Sequence, residues 1–232
     1  MSRVVLFVGA HPDDIEVECG GTVQVFLKDG YHVVGLSLTT GRNKEERIKR
    51  IEAIKRSSEL LGYEPVITEL DESDLTAKIA EERVIDLIRK YNPFIIFSPS
   101  DKDQHIDHKY SSWGADSAIR RRVKNSLHYA GPLREKEFGP GVFYAFTEEE
   151  YKRKLQAKEI HREAYGPTRY FTQEYSIESW LGQCVFEYTQ RENAPHLIIG
   201  ERTITPYAEW FEVRHLVNPF LGGTDLMSQV KT

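Results

Sequence analysis

The chain has 232 residues, 40% of them apolar and 11% aromatic, with a formal net charge of −5. That composition is too apolar for a disordered chain and too acidic for a general nucleic-acid binder, so no nucleic-acid partner is expected. No stretch approaches ~18 uncharged apolar residues, so no membrane span is expected. The apolar run at the N-terminus stops at Ala10, ahead of His11, Asp13 and Asp14, which does not fit a signal peptide; the expected location is the cytoplasm. Cys19 and Cys184 form neither a disulfide framework nor a CxxC knuckle.

Residues 4–9 form an apolar run without alternation, as in a buried parallel strand. Gly20-Gly21 precede a helical pattern over 22–28, and 31–38 read as a second strand. An amphipathic helix is expected over 44–61, with Ile48, Ile51, Ile54 and Leu61 on one face and Gly62 closing it. A third strand falls at 66–70. Ser73 or Asp74 can cap a helix running to Tyr91, Pro93 stops it, and 94–97 read as a fourth strand. This alternation predicts an α/β fold, a Rossmann-like open, mostly parallel sheet with helices on both faces. Beyond residue 125 the rhythm changes. Short strands are expected at 126–129 and 142–146, a helix from Thr147 to about Tyr165, and a further helix around 179–187. The whole chain, 1–232, reads as one domain: an α/β core over 1–125, with 126–232 packed on it and forming the substrate rim.

Two polar clusters follow strands one and four. They are His11-Pro12-Asp13-Asp14 and His105-Ile106-Asp107-His108. Open α/β sheets bind ligands at the carboxyl ends of their strands, where strand order reverses, and strands one and four flank that point in the commonest order. Imidazole with carboxylate suits zinc and related divalent ions. Spacing alone leaves open which members are ligands. Gly20-Gly21 belongs to no nucleotide-binding fingerprint and reads as close helix packing, so no nucleotide cofactor is expected. Arg120-Arg121-Arg122 with Lys124 reads as a solvated helix face, and the aromatic tail around Tyr207 to Phe211 as core.

Ala10-His11-Pro12-Asp13-Asp14, Gly20-Gly21-Thr22 and His105-x-Asp107-His108 together resemble the LmbE-like, or PIG-L-type, zinc de-N-acetylase family. Leu61-Gly62, Asp74-Leu75, the helix positions Lys154, Ala157 and His161, and Tyr207-Ala208-Glu209-x-Phe211 extend the likeness over most of the chain. The resemblance implies that His11, Asp14 and His108 hold zinc, with Fe²⁺ or Co²⁺ compatible with the same ligands. It implies Asp13 as general base, a cationic His105 as stabiliser of the oxyanion or general acid, and Asp107 as the group that orients an imidazole. A basic residue of the second helix near substrate would be Arg47 or Arg50. The implied activity is removal of an acetyl group from an N-acetylglucosamine-type conjugate, a small-molecule partner. Hydrolysis of another amide or ester, or a sugar-binding module with a vestigial site, stays open, as does a homo-oligomer. Two positions depart from the family pattern: Ile15 stands where an acid often follows the double Asp, and Ile106 where a proline is common.

Overall fold

The computed structural model describes residues 3–120, 123–129, 131, 137–139, 141–165, 197–200 and 207–216. The helix expected at 179–187, Cys184, Arg121 and Arg122 lie outside them. Strands β1 (Val4–Gly9), β2 (His32–Ser37), β3 (Glu64–Ile67), β4 (Ile95–Pro99) and β5 (Asn125–Tyr129) lie parallel in the order β3-β2-β1-β4-β5. Helices α1 (Asp14–Lys28), α2 (Lys44–Leu61), α3 (Ala77–Tyr91) and α4 (Ile106–Ile119) connect them. Beyond β5 the sheet continues through β8 (Tyr207–Leu216), which runs antiparallel to both β5 and β6 (Val142–Phe146). β7 (Leu197–Gly200) lies parallel to β6 at the edge, and α5 (Glu148–Tyr165) covers this half. The expected α/β sheet with helices on both faces is therefore present, and strands from both halves of the chain share it. No helix among the described residues is long and apolar enough to cross a membrane.

β1 shows why its sequence lacks alternation. Val5 and Phe7 join the core beneath α1 and α5, while Leu6 and Val8 join the core beneath α3 and α4. All four are fully buried, as a strand covered on both faces requires. α2 has the expected bounds. The Asn43 side chain accepts from the Glu46 amide at 3.0 Å, and Gly62 closes the helix at φ 93°, a left-handed conformation that costs glycine little. Its buried face begins only at Ala53, so Ile48 is 61% exposed rather than in the expected apolar stripe. α5 opens with a capping box: Thr147 Oγ1 accepts from the Glu150 amide and Glu150 accepts from the Thr147 amide.

Three expected boundaries shift, and one helix is new. α1 begins at Asp14, so Gly20 and Gly21 lie inside it. A Cβ at Gly21 would stand 2.4 Å from the Phe146 ring, so the glycine is what lets α1 lie on β6. β3, expected at 66–70, starts two residues and ends three residues earlier. The cap of α3 is Thr76, whose Oγ1 accepts from the Ile79 amide, while Asp71 caps a short 3₁₀ turn over Glu72–Asp74. α4 was not anticipated, because its buried face is built from Ser111, Ser112, Gly114, Ala115 and Ala118 instead of large apolar groups. Those small residues let it approach α3; a Cβ at Gly114 would meet that of Ala80 at 2.5 Å.

The tail returns to the core as expected. Phe211 is fully buried, its ring edge-on to Phe97 and Tyr144. Beside it, the buried Glu209 carboxylate accepts from the Gly21 amide (2.9 Å), the Thr22 amide (2.7 Å), Thr22 Oγ1 (2.5 Å) and Lys154 Nζ (2.7 Å). One carboxylate thus ties β8 to α1 and α5. Removing one partner of a buried ion pair costs about 3–5 kcal/mol. Glu209→Ala should lose stability in that range in denaturant unfolding, and a Lys154→Met, Glu209→Gln double variant should lose less.

Candidate active site

Both polar clusters stand where a helix N-terminus meets the carboxyl edge of the sheet, on the two sides of the β1/β4 reversal. Asp13 occupies the N-cap position of α1, yet its side chain makes no capping hydrogen bond. Asp14, one residue on, is anchored. Its Oδ2 accepts from the amides of Ala10 (2.7 Å) and His11 (2.9 Å). That leaves Oδ1 facing the imidazoles, 3.3 Å from His108 Nε2 and 3.7 Å from His11 Nδ1. Donor atoms of His11, Asp14 and His108 all lie within 4.8 Å of one another, and His11, His105 and Asp107 form a second such group around the shared ring. His11 Nε2 lies 3.0 Å from Asp107 Oδ2.

The electrostatics follow from burial and pairing. Burial opposes charge on His11, but hydrogen bonds to Asp107 and Asp14 outweigh it and push its pKa up to about 9. Burial likewise opposes charge on His108, and the Asp14 and Asp103 carboxylates lift its pKa well above the ordinary value. Burial works to raise Asp14, yet His108 and His11 hold it well below the usual carboxylate range. Asp13 goes the other way, raised by burial and then by the adjacent Asp14 charge. His105 is lowered by burial and by the His11 and His108 charges. Its Nδ1 accepts from the Asp107 amide at 3.3 Å as the N-cap of α4. That contact and the lowered pKa both favour the neutral ring, with its proton on Nε2, over the cationic form that the resemblance implies.

Arg47 and Arg50 separate clearly. Arg50 pairs with Glu72 and stacks its guanidinium 4.1 Å over the Tyr165 ring, whose hydroxyl lies 3.5 Å from Asp13 Oδ1. Arg47 lies 3.9 Å from Asp71 and is not brought to the cluster. Behind Asp13, the buried Glu16 accepts from Ser57 Oγ and Tyr63 Oη, both at 2.6 Å, and His161 Nε2 lies 2.9 Å from the same Ser57. His161 therefore packs within this network. Ile15 is core, and Ile106 is the first helical residue of α4, the position that tolerates proline, so both departures leave the backbone unaltered.

The sequence did not point to Asp103. It is 1% exposed; Oδ1 accepts from the His105 amide at 2.8 Å, and Oδ2 accepts from the Gly131 amide at 3.0 Å and lies 2.9 Å from His108 Nδ1. Its signal was masked by the charged run around it. Glu18, one turn beyond Asp14, was also missed; burial pushes its pKa up to about 8 against the opposing Lys154 charge.

Residues 6–119 match the family model of GlcNAc-PI de-N-acetylase, PIG-L. That stretch is a PIG-L/LmbE family domain. It is 29% identical over 168 residues to the uncharacterized deacetylase YaiS of Escherichia coli K12, which covers 68% of this chain and 90% of that protein. It is 32% identical over 132 residues to the diacetylchitobiose deacetylase of Thermococcus kodakarensis, 50% of this chain and 49% of the relative. Its fold also matches the crystal structure of GalB, the 4-carboxy-2-hydroxymuconate hydratase of Pseudomonas putida KT2440. The TM-score there is 0.74 at 18% identity, over 91% of this chain and 96% of that one. The fold thus does not choose the reaction; the site must.

The two arginines should differ in unfolding experiments. Arg50→Ala strips a largely buried partner from Glu72 and should cost about 1–3 kcal/mol, whereas Arg47→Ala should cost under about 1 kcal/mol.

Proposed function

We propose that this protein is a metal-dependent amide hydrolase that removes an N-acetyl group from an N-acetylglucosamine-type sugar conjugate. The observation that carries the reading is the convergence of His11, Asp14 and His108 beside Asp13, a half-buried carboxylate whose side chain makes no capping hydrogen bond. The donor set fits a divalent cation: two imidazoles and one carboxylate, with Asp107 and Asp103 behind the rings. Three protein ligands leave a position for water, as a catalytic zinc site needs. Zinc suits this set, and Fe²⁺ or Co²⁺ share the ligands. A bound divalent ion supplies an acidified water and polarises the acetamide carbonyl.

The chain's own groups do the rest. Asp13 takes the proton of the attacking water, and its raised pKa brings it nearer the working pH. As the carbonyl oxygen becomes anionic, the Nε2–H of neutral His105 donates to it. The carbon–nitrogen bond breaks, Asp13 returns the proton to the departing amine, and acetate and the free amino sugar result. Asp107 holds the His11 ring through Nε2. Arg50, backed by Tyr165 beside Asp13, is the basic group of α2 that flanks substrate. The PIG-L match and the diacetylchitobiose deacetylase relative support an acetylated amino sugar as substrate.

Two measurements test this. Protein purified without chelator should carry about one metal per chain and release amine from N-acetylglucosamine conjugates. Asp13→Asn should keep the metal and lose roughly 10²–10⁴ in kcat. Metal without amine release from any acetylated sugar moves the reaction to another amide or ester. Absence of metal, and none taken up from added zinc, sinks the reading. Zinc at 100-fold its Kd should also stabilise the fold by about 2.7 kcal/mol, a shift in Tm that His108→Ala should abolish.

A further inference from the structure

We propose that Asp103 is a positioning residue that sets the metal affinity of this site, an inference that rests on the metal-dependent reading above. Asp103 lies in the turn between β4 and α4, 1% exposed, and both its oxygens are engaged. Oδ2 makes an ion-pair contact with His108 Nδ1 at 2.9 Å, which favours a proton on Nδ1 and aims Nε2 at Asp14 Oδ1, 3.3 Å away, where a cation can replace the Nε2 proton. Oδ1 accepts from the backbone of His105, and Oδ2 also accepts from Gly131, the residue that follows the end of β5 by two. A single carboxylate therefore orients one imidazole of the cluster, fixes the backbone of a second, and references both to the neighbouring strand. An imidazole free to rotate or change tautomer would present Nε2–H, which cannot ligate. Carboxylates in this position raise ligand basicity and metal affinity, and their loss typically costs 10–100-fold.

The test is zinc competition against a chromogenic chelator, with wild type and Asp103→Asn compared. Zinc affinity should fall by about 10–100-fold, and turnover at saturating zinc should return most of the way to the wild-type value. A merely structural defect would lower the Tm of the metal-free protein without this split between affinity and saturated turnover. Affinities within about twofold overturn the role of Asp103 alone. Wild type that takes up no zinc overturns the metal reading as well. Imidazole ¹⁵N spectra of the wild type decide the matter if Asp103→Asn does not fold. In the zinc-loaded protein, a protected Nδ1–H on His108 with no proton on Nε2 supports the assignment, and an Nε2–H with a bare Nδ1 overturns it.

Discussion

Strand order reverses between β1 and β4, and almost everything about the site depends on that one topological constraint. Connections leave the two strands toward opposite faces, so the loops above them part and open a crevice. Helices α1 and α4 begin at its two sides, and their unpaired amide groups and dipoles favour negative charge there. The crevice accordingly collects Asp13, Asp14, Asp103 and Asp107. Four carboxylates at that density need compensation, which His11 and His108 provide through the raised pKa values their neighbours impose. A cluster that keeps imidazoles charged in this way is one in which a divalent cation can take the place of their protons.

The crevice has walls because the second half of the chain is bolted to the first. Glu209 joins β8 to α1 and α5, and β8 lies along β5. At the top of β5 the Tyr129 carbonyl accepts from the Ser100 amide, and the Tyr129 hydroxyl donates to the Val8 carbonyl, both at 2.7 Å. Those bonds fasten the end of β4 and the end of β1 to the same tyrosine. Asp103, three residues past Ser100, then has a defined place from which to reach His108. The tail packing is in this way linked, contact by contact, to the placement of the His108 ring about 100 residues earlier in the chain.

What the sequence disclosed follows a physical rule. Elements whose cause is local were readable: the doubly buried β1 from its unbroken apolar run, α2 from Asn43 and Gly62, α5 from its capping box. Elements whose cause is tertiary were not. The small residues of α4 show no apolar stripe, since their purpose is to let α3 come close. Gly20 and Gly21 were readable as close packing but not as helix interior; inside α1 they make room for Lys154 and Phe146. The buried Glu209 disguises β8, because a charged side chain in a strand reads as surface until its four donors are known. In the site, the two motif clusters were legible by type and spacing, whereas Asp103 was hidden among Asp101, Lys102 and Gln104, and only burial distinguishes it from them.

The neighbouring Asp13 and Asp14 show how little separates two opposite chemical characters. Both are carboxylates at the first turn of α1, and both feel burial that raises their pKa. Asp14 turns back toward the loop, where two backbone amides hold one oxygen and two imidazoles face the other, and its negative charge is over-satisfied. Asp13 points the other way. Its side chain makes no capping hydrogen bond, it sees the charge of Asp14 beside it, and the Tyr165 hydroxyl lies 3.5 Å from its Oδ1. Asp14 is therefore held in its charged form with its oxygens fixed in place, the character that the proposed metal ligand needs. Asp13 is held nearer its protonated form, the character that the proposed general base needs. One residue of register along a helix, converted by its 100° turn into a different direction, divides the two roles.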